Sequence, residues 1–430
     1  MHSAGSDPPA PLSWEALAAL AAPLLAGGEP PETGPTSAQA LLRSFGAPEA
    51  AVRVTLHRDH HAWCPYCQKV WLWLEEARIP HRTRKVAMAC YGEKEPWYRS
   101  LVPSGMLPAL VLDGRLITES DRILAELEAA FGPIGVSLGD PRALPLRQLE
   151  RLLFRAWCEW LCRPSPLPGG DERARQAFER QAGAMADALE ANGGPFLFGT
   201  ELSGVDLVFV PFLERMSASL AYYKGDLLRQ RFAPIDRWFA ALERRPTYLG
   251  TQSDFHTHTH DLPPQMGGCS ASGTEAQRRL ASRIDAGPWP ILDAAVGPDP
   301  ETSAAEPADA ALVALARVLR HRAPLLARSP LGAAGFDLPL RCALTLLASG
   351  AACPPPAGSA AALRQLRDRI CVPRDMPLHA ARRLRQALEH TALLDPLTPE
   401  AQGPVIPRRD RFDQDPRPFL AAAGVSGRPA

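Results

Sequence analysis

Trp63, Cys64, Pro65, Tyr66 and Cys67 follow directly on an apolar strand pattern, Val52 to Leu56, and open a helical pattern through Lys69, Val70, Leu74 and Ala77. Two cysteines separated by two residues at a strand-to-helix junction leave few folds and few chemistries open. Backbone N–H groups at a helix N-terminus are unpaired and carry partial positive charge, so a thiol held there ionises more easily than a free one. Pro65 suits the first helical turn, where its missing N–H costs nothing. Cys64 is therefore the first candidate nucleophile. Cys67, one helical turn on, is either a second working thiol or a small buried side chain, since unreactive cysteines pack well.

The residues that follow extend the α/β pattern. His81 to Val86 reads as a second strand, and a polar, aromatic stretch with Lys94, Trp97 and Tyr98 comes after it. Asp113 and Gly114, between two apolar runs, signal a tight hairpin. Pro108 precedes a buried-looking strand, where a proline belongs at an edge or a strand start. Together these give the layout of a thioredoxin-like redox domain, in which a cis proline at this position faces the active cysteine.

On those residues the segment from Val52 to Phe131 resembles the glutathione-binding domain of glutathione transferases, above all the cysteine-dependent omega and lambda classes. The resemblance implies that Cys64 is the catalytic cysteine and Tyr66 the aromatic two positions later. It implies that the backbone of Leu107, before Pro108, pairs with the cysteinyl part of glutathione. Glu119 and Ser120 would hold the γ-glutamyl end, and Lys94 would meet the glycine carboxylate. Cys67 departs from the omega pattern, which has alanine there, and matches glutaredoxins; a one-thiol and a two-thiol mechanism both stay open. Read without the resemblance, Glu119 and Ser120 also suit a helix start, and Lys94 suits a solvated surface.

From about Pro141 to Leu249 the periodicity is helical. Leu149, Leu152, Leu153, Ala156 and Trp157 share one face, Arg173 to Leu189 repeats the pattern, and Ile235 to Leu242 gives another helix. Ser203 and Asp206 have capping-box spacing ahead of the apolar run Leu207 to Leu213, as in the all-helical second domain of the same family. There this domain walls the acceptor pocket; for Tyr222 and Tyr223 simple packing is the preferred reading. His256, His258 and His260 would share one face of an extended segment. Clustered imidazoles can bind zinc, yet the spacing fits no closed zinc motif, and a structured linker is expected with no metal. The text from Val52 to Gly268 resembles the large iota-class proteins of cyanobacteria, algae and plants, which carry an additional C-terminal region.

The expected fold is an α/β thioredoxin-like domain (51–133), an all-α glutathione transferase C-terminal domain (140–250), a His-rich linker (251–270) and a mainly helical C-terminal extension (271–430). Residues 1–50 form an N-terminal extension with one helix, Trp14 to Leu25, packing on the domain. In the C-terminal region helices are expected over Ala308 to Leu326, Leu340 to Leu347 and Leu378 to Leu394. Arg364, Arg367, Arg369, Arg374, Arg382, Arg383 and Arg385 read as a solvated helix face.

Charge narrows the partners. With 47 basic and 47 acidic residues the formal net charge is zero, which implies neither nucleic acid nor a membrane surface as a partner. No apolar run reaches the roughly 18–20 residues of a membrane span. Nine scattered cysteines in a chain of 430 residues do not form a secreted disulfide framework and fit a reducing compartment. Arg43 is the only Arg or Lys before Arg53, whereas a transit peptide is basic and poor in acids. A cytoplasmic location is expected, with a plastid the alternative if a presequence is missing.

The expected function is a glutathione-dependent thiol transferase or reductase, with glutathione as co-substrate and a thiol, disulfide or S-glutathionylated molecule as acceptor. A homodimer is a further candidate assembly. The alternatives are conventional conjugation of glutathione to electrophiles, and a non-enzymatic protein that binds a ligand or a [2Fe–2S] cluster on the same fold.

Overall fold

The computed structural model describes residues 9–26, 32–163, 167–285, 301 and 305–397. Five strands form one sheet in the order β1-β3-β2-β4-β5: β1 Leu42–Arg43, β2 Val54–Asp59, β3 His81–Val86, β4 Ala109–Leu112 and β5 Arg115–Thr118. β2 and β3 run parallel, joined by the helix Pro65–Glu76 that carries the cysteine motif; every other pair is antiparallel. The β4–β5 hairpin turns at Asp113 and Gly114, both at positive φ (51° and 79°), as an Asp-Gly turn requires. This is the thioredoxin-like sheet expected from the cysteine motif.

The N-terminal extension takes part in the sheet, which was not foreseen. β1 is held by the buried Glu75, near the end of the cysteine helix. Its carboxylate accepts from Arg43 Nη2 (2.9 Å) and from Thr36 Oγ1 (2.8 Å). A strand of two residues gives no period to read in the sequence, and its anchor lies more than 30 residues away.

The helical domain packs directly on the cysteine helix and shares one hydrophobic core with the sheet. The helix Gly204–Ser219 is buried along its whole length and starts with the expected capping box of Ser203 and Asp206. Gly204 allows the closest approach: a Cβ there would lie 2.3 Å from Trp73 Cζ3. Leu152, expected on the buried face of the helix Ala143–Cys162, is exposed and lines an open cavity. No helix among the described residues is long and apolar enough to cross a membrane.

Two expectations fail at the C-terminal side. The extended geometry that would put His256, His258 and His260 on one face does not occur, because Phe255–Met266 is a helix. Asp254 caps it, accepting from Thr257 N at 2.9 Å. The capping residue sits before an alternating His-Thr run whose apparent period of two concealed the helix. The arginines are not a solvated face either. Arg382 pairs with Glu301 (3.0 Å), Arg364 with Glu389 (3.0 Å), and Arg385, 1% exposed, with Asp254. Their acidic partners lie far away in sequence, so the charge run alone could not show the pairing.

The extension has its own core, built from Ala310–Arg320, Gly332–Ser349, Ala360–Arg369 and Leu378–Leu393. Ala360–Arg369 and the preceding Glu275–Asp285 were not anticipated, and residues 398–430 lie outside the described set. The N-terminal helix Trp14–Leu20 packs on this core rather than on the sheet. Leu17 is fully buried there, and Trp14 Nε1 donates to Asp337 Oδ1 at 2.7 Å. Replacing one member of a buried charge pair strands the other, so Arg385→Ala is expected to cost about 3–5 kcal/mol in urea unfolding. Arg383→Ala, at a half-exposed pair with Glu306, should cost no more than ~1 kcal/mol. Equal losses for the two would show that the Asp254 contact does not tie the extension down.

Candidate active site

Cys64 is the N-cap residue of the helix Pro65–Glu76, with Pro65 in the first turn. The loop before it is tightly held: Trp63 N donates to Asp59 Oδ2 at 2.7 Å, and Ala62 adopts a positive φ of 56°. Both motif cysteines are buried, Cys64 at 5% exposure and Cys67 at 1%. Their environments differ. Burial, then the hydrogen bond to and charge of Cys64, then Asp59, push the Cys67 thiol well above the ordinary cysteine range. Cys67 thus keeps its proton beneath the helix start, while Cys64 occupies the N-cap itself.

The residues singled out in the sequence gather near this pair to different degrees. The Leu107–Pro108 bond is cis, and Pro108 leads into β4. Glu119 is the N-cap residue of the helix Ser120–Phe131 and sits at φ 65°, ψ 113°. A non-glycine residue in that region costs on the order of 1–3 kcal/mol and persists where its surroundings demand it. Ser120, buried at the helix start, adds a hydroxyl beside unpaired backbone N–H groups.

Lys94 is half-buried rather than solvated. Its Nζ donates to the Ala87 carbonyl at 2.9 Å, and its stem lies against Gly105. Burial lowers its pKa. Tyr66 meets Phe212 edge-on at 5.7 Å. Tyr222 and Tyr223 line no cleft at the cysteines: their hydroxyls donate to Asp285 Oδ2 (2.8 Å) and Thr259 O (2.9 Å).

A buried polar layer behind the loop was missed by the sequence reading. Arg215, 1% exposed, donates to Gln68 Oε1 at 3.0 Å and to the Trp63 carbonyl, with its guanidinium 4.5 Å from the Trp63 ring centre. Trp63 Nε1 donates to His258 Nδ1 at 3.1 Å, which assigns the His258 proton to Nε2, 3.4 Å from Glu214 Oε2. Gln68 Nε2 donates to the same Glu214 oxygen at 2.9 Å. Burial raises Glu214 to about 7 and, aided by Arg215, takes His258 well below its ordinary value. The sequence signal was there: Glu214 and Arg215 interrupt an otherwise apolar helix, where charges survive only when paired.

Two groups of side chains among the described residues converge as metal ligands could. They are Asp59 with Cys64 and Cys67, and His256 with His260 and Asp285. A cavity of about 540 Å³ opens along the helix Ala143–Cys162, lined by Asp121, Arg147, Arg151, Leu152, Arg155 and Val208 among others. Neither motif cysteine lines it, and we assign it no chemistry.

The geometry agrees with what the chain is similar to. Residues 63–130 match the family model of the glutathione S-transferase N-terminal domain, and residues 172–241 that of the glutathione S-transferase C-terminal domain. Glutathione S-transferase DHAR2 of Arabidopsis thaliana is 26% identical over 190 residues, which is 44% of this chain and 84% of that one. A probable cytosolic glutathione S-transferase DHAR1 of Oryza sativa is 25% identical over 198 residues, 46% of this chain and 87% of that one. The crystal structure of Chlamydomonas reinhardtii dehydroascorbate reductase is 22% identical, covering 47% of this chain and 93% of that one, with a TM-score of 0.40.

Glu214 gives the buried layer a pH signature. Its folded-state pKa of about 7 lies above the ordinary 4.5, so the folded chain holds this proton more tightly than the unfolded chain. The stabilisation is complete below pH 4.5 and is lost as pH rises through 7, by on the order of 3 kcal/mol. Glu214→Gln keeps an acceptor for Gln68 and does not titrate. Its stability relative to the parent, from urea unfolding at several pH values, should therefore climb between pH 4.5 and 7. Parallel curves would mean that Glu214 is ionised throughout.

Proposed function

We propose that the paired glutathione S-transferase domains of this chain act as a glutathione-dependent thiol transferase or reductase, with Cys64 as the nucleophile. The observation that carries the reading is the asymmetry of the two cysteines. Cys64 stands at the helix N-cap beside unpaired backbone N–H groups, while Cys67 is buried beneath it with its proton held. A cysteine suits exchange with sulfur because it forms the covalent link itself.

In the first step the Cys64 thiolate attacks the glutathionyl sulfur of a mixed disulfide. The old S–S bond breaks, the acceptor leaves as a thiolate that takes up a proton, and Cys64 carries glutathione. In the second, the thiolate of a free glutathione attacks that same glutathionyl sulfur. Oxidised glutathione departs and the Cys64 thiolate returns. In sum, one mixed disulfide and one glutathione thiol become one acceptor thiol and one oxidised glutathione. This one-thiol route leaves Cys67 as a structural donor.

The backbone of Leu107 ahead of Pro108, together with Glu119, Ser120, Lys94 and the Tyr66 ring, is the glutathione cradle in this reading. The strained Glu119 supports it, since a carboxylate held in a costly backbone conformation beside a helix N-terminus is placed to grip an ammonium group. Similarity to the DHAR proteins favours reduction over conjugation to electrophiles and makes dehydroascorbate the first small acceptor to assay. All nine cysteines are free, which agrees with work in a reducing compartment.

Intact mass after incubation with oxidised glutathione tests the reading. The parent should gain one glutathione, Cys64→Ser none at this motif, and Cys67→Ser should exchange within about threefold of the parent rate. A loss of two protons from Cys64 and Cys67 in place of the adduct would replace the one-thiol route with a dithiol one. Glu119→Gln should raise the glutathione KM about 10–100-fold, the loss of one charged hydrogen bond. An unchanged KM would remove Glu119 from the cradle.

A further inference from the structure

The histidine segment changes meaning once it is a helix. A period of two would place His256, His258 and His260 on one face; a helix pairs only residues three or four apart. His256 and His260 accordingly share a face, with ring centres 4.8 Å apart. His258 points the other way, into the Trp63–Glu214 layer behind Cys64.

Asp285, the end residue of the helix Glu275–Asp285, meets the His256–His260 face. Its Oδ1 lies 2.6 Å from His260 Nε2, and one ligand atom each from His256, His260 and Asp285 fall within 4.8 Å of one another. Two histidines at i, i+4 on one helix face with a third group from another element is a strong arrangement for a transition metal. From these positions we propose that His256, His260 and Asp285 form a binding site for a zinc-like divalent cation, separate from the thiol site.

Four observations support the site. The donor set of two imidazoles and one carboxylate suits a borderline cation such as Zn²⁺ or Co²⁺. Ligands at about 2.0–2.2 Å from a zinc ion stand closer together than these atoms do at most, so closure needs movements of about 1 Å or less. Tyr222 donates to the other Asp285 oxygen at 2.8 Å, in the outer position that orients a ligating carboxylate. Tyr222 also lies in a single π-helical turn, Leu220–Lys224, a distortion often found at functional sites.

A second carboxylate stands beside His256. Asp368 Oδ1 lies 3.8 Å from His256 Nε2, with its charge shared with Arg367. His256 is 4% exposed, whereas His260 and Asp285 are partly open to solvent, which gives an ion a way in. When bound, the cation displaces the proton between His260 and Asp285 and ties the histidine helix to Glu275–Asp285. His258 and the thiol site take no part.

The test is a titration of the chelator-treated full chain with Co²⁺, followed by displacement with Zn²⁺. The site should bind one Co²⁺ with a micromolar or tighter Kd. It should give visible d–d bands without a thiolate-to-cobalt charge-transfer band. His260→Gln, which keeps a polar contact to Asp285, should weaken binding at least 100-fold. Tyr222→Phe, which removes only the outer hydrogen bond, should weaken it about 10-fold. Both variants should still take up glutathione at Cys64, so failure of the thiol reading and failure of this one are separable. No binding below millimolar Co²⁺, an affinity indifferent to His260→Gln, or a charge-transfer band placing the ion on Cys64 and Cys67 would each overturn the proposal.

Discussion

One carboxylate, that of Asp254, ties the histidine helix to the extension. One oxygen caps the histidine helix and the other pairs with Arg385 of the extension. Both side chains are removed from water, so each depends on the other to offset the cost of desolvation. Capping fixes where the helix begins, and the starting point fixes its rotation. From that follow His258 behind the cysteine loop and His256 with His260 on the opposite side. The segment joining helical domain to extension is thus an oriented element whose two faces serve different neighbours.

The cysteine motif shows how position rather than composition separates two identical side chains. Three residues apart on one helix, Cys64 meets the unpaired end of the backbone and Cys67 meets the core. The layer of Trp63, Arg215, Gln68, Glu214 and His258 holds the loop from behind, through one main-chain carbonyl and one indole. Loops that carry reactive groups gain accuracy from such support. Here it comes from the helix Gly204–Ser219 and the histidine helix as well as from Asp59 of β2, so the cysteine loop is held from several sides.

Much of the fold was legible because local rules sufficed. Cys64-Pro65 marks a helix start, Asp113-Gly114 a hairpin, and Ser203 with Asp206 a capping box, each acting within a few residues. The failures share a cause of the opposite kind. Whether Arg385 is solvated depends on Asp254, and whether Arg43 lies in a strand depends on Glu75; these partners are remote and sequence periodicity carries no trace of them. The histidine run misled for a different reason. Its alternation with threonine imitates a strand, and the cap that decides for a helix is one unremarked aspartate. Of the site, the cysteines and Glu119–Ser120 were visible as motifs, while Arg215 and Glu214 were visible only as charges in an apolar helix.

The packing of Trp14–Leu20 against the extension has a consequence in time. That helix leaves the ribosome well before the surface that buries Leu17, which belongs to residues beyond 310. Contacts of such sequence separation form late, and domains fold in the order in which they emerge. The sheet and helical domain, complete by about residue 270, can assemble while the opening helix still shows its apolar side. Only when the helices beyond residue 310 arrive does Trp14–Leu20 find its place, so two segments distant in sequence complete one core together.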